Sequence, residues 1–288
     1  MGKEKEMVDV WESISFKLWS RIGPPWRPAK KDINFWEKRL NRLAKNKKIK
    51  VLVLGSTPEI RDMLVKNKIN TTLLEANKSM YNAMNRLMKI KSTKEKLVIG
   101  NWLEANKIFK ENTFDVVISD EPHCNIDYPK WPSFFSSLYN VLKPGGYLML
   151  ATVTYNFSQR QTIKEMLKKY KKNKKYFKDF KNRIWELYHL IGEKGVISKD
   201  YKLNFDKLRE LIKKQALSQF APEEVDKCLW FVSGDLDGEC LGGVTEVGPP
   251  LKKQISLQSK WFLLEDMLLI KDHPVFDIKR TMILKSKK

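Results

Sequence analysis

The chain has 288 residues, 42% of them hydrophobic, which is enough for a full core in one or two domains. Lysine and arginine number 55 against 34 acidic residues, a formal charge of +21. A signal peptide is not expected, because the charged start Met1-Gly2-Lys3-Glu4-Lys5-Glu6 has no apolar centre. A membrane span is not expected either, because no apolar run nears the ~20 residues it needs. The three cysteines Cys124, Cys228 and Cys240 fit no disulfide or zinc spacing, which implies a soluble protein of the reducing cytoplasm. Three scattered histidines supply no metal ligand set. The positive charge has two readings, an anionic partner such as nucleic acid or a solvated lysine surface. Its spread along the whole chain favours the second.

Residues 1–30 place Trp11, Phe16, Leu18, Trp19 and Ile22 at near-helical spacing, before the breaker Gly23-Pro24-Pro25-Trp26-Arg27-Pro28. Ile33, Trp36, Leu40 and Leu43 then mark one face of a helix over 33–45. From Lys48 the pattern becomes short apolar runs alternating with helices, the signature of buried parallel strands. The runs are Val51–Leu54, Thr72–Leu74, Leu97–Ile99, Phe114–Ser119 and Tyr147–Leu150.

Ligands of such sheets bind at the carboxyl ends of the strands, and the unusual polar residues fall there. Gly55-Ser56-Thr57-Pro58-Glu59 turns the first strand into a helix, with Thr57 as N-cap and Pro58 at the first helical position. The free N–H groups of that helix start suit a carboxylate. Glu75 ends the second strand, where a carboxylate accepts from both hydroxyls of a ribose. Asn101-Trp102 follow the third strand and Asp120-Glu121-Pro122-His123 the fourth.

Past residue 155 the pattern changes. Residues 160–191 read as helical and very basic, with Tyr170, Tyr176, Phe177 and Phe180 better placed on a buried face than as a base-stacking platform. Helices are expected over 204–218 and 222–232 and a loop from Ser233 to Pro250. Trp261 to Ile270 and Asp277 to Lys285 form a closing antiparallel hairpin.

The order of these elements resembles the class I S-adenosylmethionine-dependent methyltransferases. Its most specific piece is Leu142-Lys143-Pro144-Gly145-Gly146-Tyr147-Leu148, the turn leading into that family's fifth strand. Leu54-Gly55-Ser56-Thr57-Pro58-Glu59 and Gly100-Asn101-Trp102-Leu103 resemble a branch whose motifs read Leu-Gly-x-Thr-Pro-Glu and Gly-Asp-Trp-Leu. The usual acid-x-Gly-x-Gly-x-Gly motif is altered, with Val53 in place of the acid and Thr57 and Glu59 in place of the later glycines.

The resemblance implies a Rossmann-like, doubly wound α/β sheet of seven strands, mostly parallel with an antiparallel C-terminal hairpin. It divides the chain into an N-terminal helical cap (1–30), a cofactor-binding core (31–155), a helical insertion or lid (156–254) and the closing strands (255–288). The implied cofactor is S-adenosyl-L-methionine. Gly55, Ser56 and Thr57 would meet its amino-acid end, while Glu59 either holds its amino group or complements the helix dipole. Glu75 would bind the ribose, followed by Ala76, Asn77 and Met80, the last either against adenine or in the core. Asn101 would accept from the adenine amino group and Trp102 would flank the purine. Asp120 would face the cationic cofactor and the acceptor, and His123 is either a general base or structural. Trp19 and Arg27 belong to the cap, Arg27 being available to a carboxylate. The expected acceptor is a small molecule, with a methyltransferase of RNA or DNA as the alternative. A nicotinamide dehydrogenase shares the strand–glycine–helix–acid logic but not the Leu-Lys-Pro-Gly-Gly turn.

Overall fold

A computed structural model describes residues 19, 23–24, 27–91, 94–122, 125–154, 161–178, 182, 186, 189–190, 196–223, 225, 244–246, 248–269 and 279–288. The chain divides into two compact units, residues 1–153 with 251–288, and residues 154–250.

The first unit is built on a seven-stranded sheet in the order β3-β2-β1-β4-β5-β9-β8. Its strands are β1 (Lys50–Leu54), β2 (Asn70–Glu75), β3 (Lys96–Ile99), β4 (Phe114–Asp120), β5 (Leu142–Val153), β8 (Phe262–Leu268) and β9 (Lys279–Ser286). The first five run parallel, and β9 joins β5 antiparallel with β8 beyond it. This is the expected fold class, hairpin included.

The central strands β1, β4 and β5 alternate between two cores, as period-two side chains must when both faces are covered. Val51, Val53, Val116, Ile118, Met149 and Ala151 pack with Trp36 and Leu40 of α1 (Lys30–Ala44) and with Ile60, Met63 and Leu64 of α2 (Pro58–Lys66). Leu52, Leu54, Val117, Leu148 and Leu150 face the other way, against Trp131, Phe134, Phe135 and Leu138 of α5 (Trp131–Val141). Helices α3 (Lys78–Leu87), α4 (Ala105–Ile108) and α8 (Leu251–Gln258) complete the unit.

At the base of the sheet the Lys143-Pro144-Gly145-Gly146 turn works as a bulge before regular pairing resumes at Val116 and Tyr147. Gly146 permits it, because a Cβ there would sit 2.9 Å from the Lys143 carbonyl oxygen and 3.1 Å from that of Asp115. A fully buried Arg61–Glu95 ion pair (2.7 Å) ties α2 to the approach of β3, with Arg61 stacked on Tyr81.

The second unit has a core of its own. Met166, Leu167 and Tyr170 of α6 (Ile163–Lys172) pack with Phe177, Leu190 and Leu203 and with Leu208, Ile212 and Ala216 of α7 (Phe205–Ala216). Buried Glu186 accepts from the Tyr176 hydroxyl at 3.0 Å and pairs with Lys169. Part of the expected loop at 233–250 is a strand. Val244–Glu246 (β7) pairs antiparallel with Lys202–Asn204 (β6), apart from the main sheet. Three residues in a glycine-rich context carry no readable period, so a strand defined by its partner leaves no sequence signal. Among the described residues no helix is long and apolar enough to cross a membrane.

Candidate functional site

The carboxyl ends of β1, β2, β3 and β4 bring the polar residues together. Gly55 leaves β1 at φ +90°, where an L side chain is strained, and its N–H donates to the Leu74 carbonyl at 2.9 Å. The same carbonyl accepts from Trp102 Nε1 at 2.8 Å, so the indole lies against the Gly55 turn. A Cβ on Gly55 would stand 3.4 Å from that ring and 3.9 Å from Glu75 Oε2. Gly55, Glu75 and Trp102 therefore share one small region.

Glu75 is the best-held side chain in it. Oε2 accepts from the Ser56 hydroxyl at 3.0 Å and Oε1 from the Asn77 backbone N–H at 3.1 Å. Burial raises its pKa above the ordinary carboxylate range, while the Asn77, Ser56 and Ala76 hydrogen bonds oppose that rise. These hydrogen bonds leave the carboxylate an acceptor direction to spare, since its two oxygens offer about four.

Asn77 then caps α3, its side-chain oxygen accepting from the Ser79 and Met80 N–H groups at 2.8 and 3.4 Å. Met80 is half-buried and Ala76 exposed. Asn101 is exposed, and its side-chain oxygen accepts from Leu103 N–H at 3.0 Å, capping the short turn that carries Trp102. Thr57 occupies the N-cap of α2, as expected, but its side chain makes no capping bond.

Glu59 in the first turn of α2 meets Arg27. Its Oε1 accepts from Arg27 Nε at 2.8 Å and from Nη2, while Arg27 Nη1 donates to the Trp19 carbonyl at 2.6 Å. Arg27 also lies over the Trp19 ring at 5.6 Å. The carboxylate that Arg27 was expected to find is thus one of the chain's own. Among the described residues Glu59 Oε2 is buried without a hydrogen-bond partner.

The end of β4 holds more than the sequence suggested. Lys279, the first residue of β9, stands 3.0 Å from Glu121 Oε1 and 3.5 Å from Asp120 Oδ1. Asp32 of α1 joins them, accepting from the Thr281 hydroxyl and from the Ala29 N–H at 2.8 Å. Burial first, then the neighbouring carboxylates of Glu121, Asp32 and Glu59, push the Asp120 pKa up to about 8 against the pull of Lys279. Burial likewise raises Glu121. The Lys279 ammonium is raised in turn by Asp120, Glu121 and Asp32, which outweigh its own desolvation. Asp32, Glu121, Lys279 and Thr281 were not among the expected site residues. His123, expected beside Asp120, lies outside the described residues.

A family model described as "Methyltransferase domain" matches residues 46–219, more than half of the chain. Among solved structures, the PH0226 protein of Pyrococcus horikoshii OT3 is 14% identical with a TM-score of 0.52, over 94% of this chain and 100% of that one. The Burkholderia thailandensis 1,6-didemethyltoxoflavin-N1-methyltransferase, solved with 1,6-didemethyltoxoflavin and S-adenosylhomocysteine, is 8% identical with a TM-score of 0.51, over 99% and 90%. A putative zinc-dependent alcohol dehydrogenase structure from Rhodobacter sphaeroides is 9% identical with a TM-score of 0.55, over 97% and 98%. At such identities the likeness is one of fold. No curated protein matches the chain by sequence.

Proposed function

The chain belongs to the methyltransferase-domain family, and from that premise we propose that it transfers a methyl group from S-adenosylmethionine to a small-molecule acceptor. The observation that carries the donor is Glu75. A buried carboxylate at the end of β2, fixed by Ser56 and Asn77 and with an acceptor direction to spare, suits the hydroxyls of a ribose. The buried and unpartnered Glu59 Oε2 suits the ammonium of the donor's amino-acid end. The Arg27 pair holds the other oxygen still, and the start of α2 offers its free N–H groups to the carboxylate of that end. Trp102, pinned by its N–H to Leu74, supplies a flat apolar wall. These residues fit the group. We read Leu54–Glu59 as the first motif of a branch that has exchanged glycines for this Thr-Pro-Glu helix start.

Bound S-adenosylmethionine supplies an electrophilic methyl group on a sulfonium sulfur. The protein's part is to bind it, orient it and exclude water, so that an acceptor aligned with the S–CH3 bond reacts in line. Asp120, buried and with its pKa near 8, is the group we assign to the acceptor side, able to take a proton from an acceptor that must lose one. The three unspaced cysteines support the cytoplasm as the working compartment.

A nucleic-acid acceptor is the second reading, favoured by one observation. Lys164, Lys168, Lys171, Lys172, Lys174, Lys175 and Lys178 are all exposed on and just after α6. Against it, the aromatics of that stretch, Tyr170 and Phe177, are buried in the unit's own core and unavailable for stacking on bases.

A thermal-shift screen tests the reading. S-adenosylmethionine and S-adenosylhomocysteine should raise the melting temperature while NAD does not, because a ligand bound only to the folded chain at a hundredfold over its Kd adds about 2.7 kcal/mol. Stabilisation by NAD alone would overturn it. Submicromolar RNA binding that collapses between low and physiological salt would replace the small molecule with the second reading.

A further inference from the structure

The end of β4 carries a geometric oddity. Asp120 and Glu121 are consecutive, and in an extended strand consecutive side chains point to opposite faces. Here both reach one ammonium. The reason is Glu121 itself, which adopts φ +50°, a left-handed conformation uncommon outside glycine, with its N–H donating to the Ala151 carbonyl at 2.8 Å. That turn takes Glu121 out of the alternation and swings its carboxylate onto Lys279. Strained backbone of this kind persists where the surroundings over-determine it, and it clusters at functional sites.

The hairpin delivers the lysine. Asp120, Ala151 and Thr281 lie side by side across β4, β5 and β9. Lys279, two residues before Thr281, shares its face. Because β9 is antiparallel, its first residue stands at the carboxyl ends of the parallel strands, where the cofactor site is. Asp32 of α1 and Glu59 of α2, the latter paired with Arg27, are the other charges acting on Asp120. One ammonium thus faces two carboxylates it touches and two more close by, a crowding of acids in a buried place.

We infer that Lys279 is a positioning residue that holds Asp120 and Glu121 as a matched pair, and that this pair gives the site its preference for the charged donor, S-adenosylmethionine, over the uncharged product, S-adenosylhomocysteine. The inference rests on the strand ends being the S-adenosylmethionine site. A sulfonium is stabilised by an ionised Asp120 and a thioether is not. Methyl transfer removes the positive charge, so the contact that favours the donor is lost on the product side and assists its release. Lys279 pulls the Asp120 pKa down against burial and the carboxylates of Glu121, Asp32 and Glu59, so that Asp120 titrates near 8 and ionises within the working pH range instead of above it.

Calorimetry with the two ligands needs no acceptor and reads the effect directly. Wild-type preference for S-adenosylmethionine over S-adenosylhomocysteine should climb about tenfold between about pH 6 and 9, the factor that a one-unit pKa difference between the two complexes produces. Affinity for S-adenosylhomocysteine should change little over that range. Lys279→Met should move the rise to higher pH and Lys279→Arg should leave it in place. Glu121→Gln, which removes a like charge, should move it to lower pH, and it keeps the test alive should Lys279→Met fail to fold. A preference flat with pH, or variants that do not shift it, overturns the inference while leaving the cofactor site standing. Absence of binding by both ligands overturns the cofactor site and the inference with it.

Discussion

Glu75 Oε2 accepts a hydrogen bond from Ser56 Oγ at 3.0 Å, joining the end of β2 to the turn that follows β1. The bond fixes a buried carboxylate at the carboxyl ends of the parallel strands, and the cofactor reading depends on that carboxylate. Ser56→Ala should therefore cost about 1 kcal/mol of stability, a typical net hydrogen bond. It should also push the Glu75 pKa further up, because a bond to the charged form is lost. Carboxylate-resolved NMR titration checks the direction, and an unchanged or lower pKa would contradict it.

Glu75→Gln should act with opposite signs on stability and on binding. Burial raises the Glu75 pKa, so the folded chain holds this proton more tightly than the unfolded chain does. A carboxyl of that kind favours folding below its unfolded pKa and loses that contribution as pH rises through the folded value. The neutral amide, donating to Ser56 Oγ and accepting from Asn77 N–H, should raise the melting temperature at neutral pH. The gain should vanish as pH falls below the ordinary carboxylate range, where the unfolded chain is protonated too. Paired melting curves across pH decide this, and a variant less stable at neutral pH would sink it.

Most of the fold was legible because it is written locally. Val51–Leu54, Phe114–Ser119 and Tyr147–Leu150 announce buried strands by apolar runs, and Lys-Pro-Gly-Gly announces a turn only glycine allows. The place of Glu75 at a strand end was legible because strand, glycine turn and acid stand at a readable spacing. The Asp120–Glu121–Lys279 group was not, because 120 and 279 are brought together only by the antiparallel hairpin, and a lysine opening a strand looks like any other among so many. The Glu59–Arg27 pair was half legible, since Arg27 was read as available to a carboxylate and Glu59 as holding the cofactor's amino group or complementing the helix dipole, without either naming the other. Nothing local tells two oppositely charged residues that they will satisfy each other first.

Gly55→Ala should destabilise the chain by about 1–2 kcal/mol, the strain of a left-handed L residue, and should also weaken cofactor binding. The steric part is small, because the new Cβ would stand 3.4 Å from Trp102, within ordinary contact. Chemical denaturation gives the stability change, and a neutral result would mean the turn relaxes out of its left-handed conformation.

Breaking the Arg61–Glu95 pair should be the costliest change outside the site. Both side chains are buried, so Glu95→Gln leaves a guanidinium without its counter-charge, at about 3–5 kcal/mol. The double change Arg61→Met with Glu95→Leu should recover much of that loss, because it removes both desolvated charges. Denaturation midpoints for the set would test it, and single and double variants of equal stability would contradict the account.

The most direct test of the whole account is a calorimetric titration of S-adenosylhomocysteine into the wild-type chain and into Glu75→Ala at neutral pH. The expected result is one site per chain, with the variant folded and its affinity lower by about 1–3 kcal/mol for the lost charge-assisted bonds to the ribose. A folded Glu75→Ala variant that binds as tightly as wild type, or a wild-type chain that does not bind at all, would contradict it.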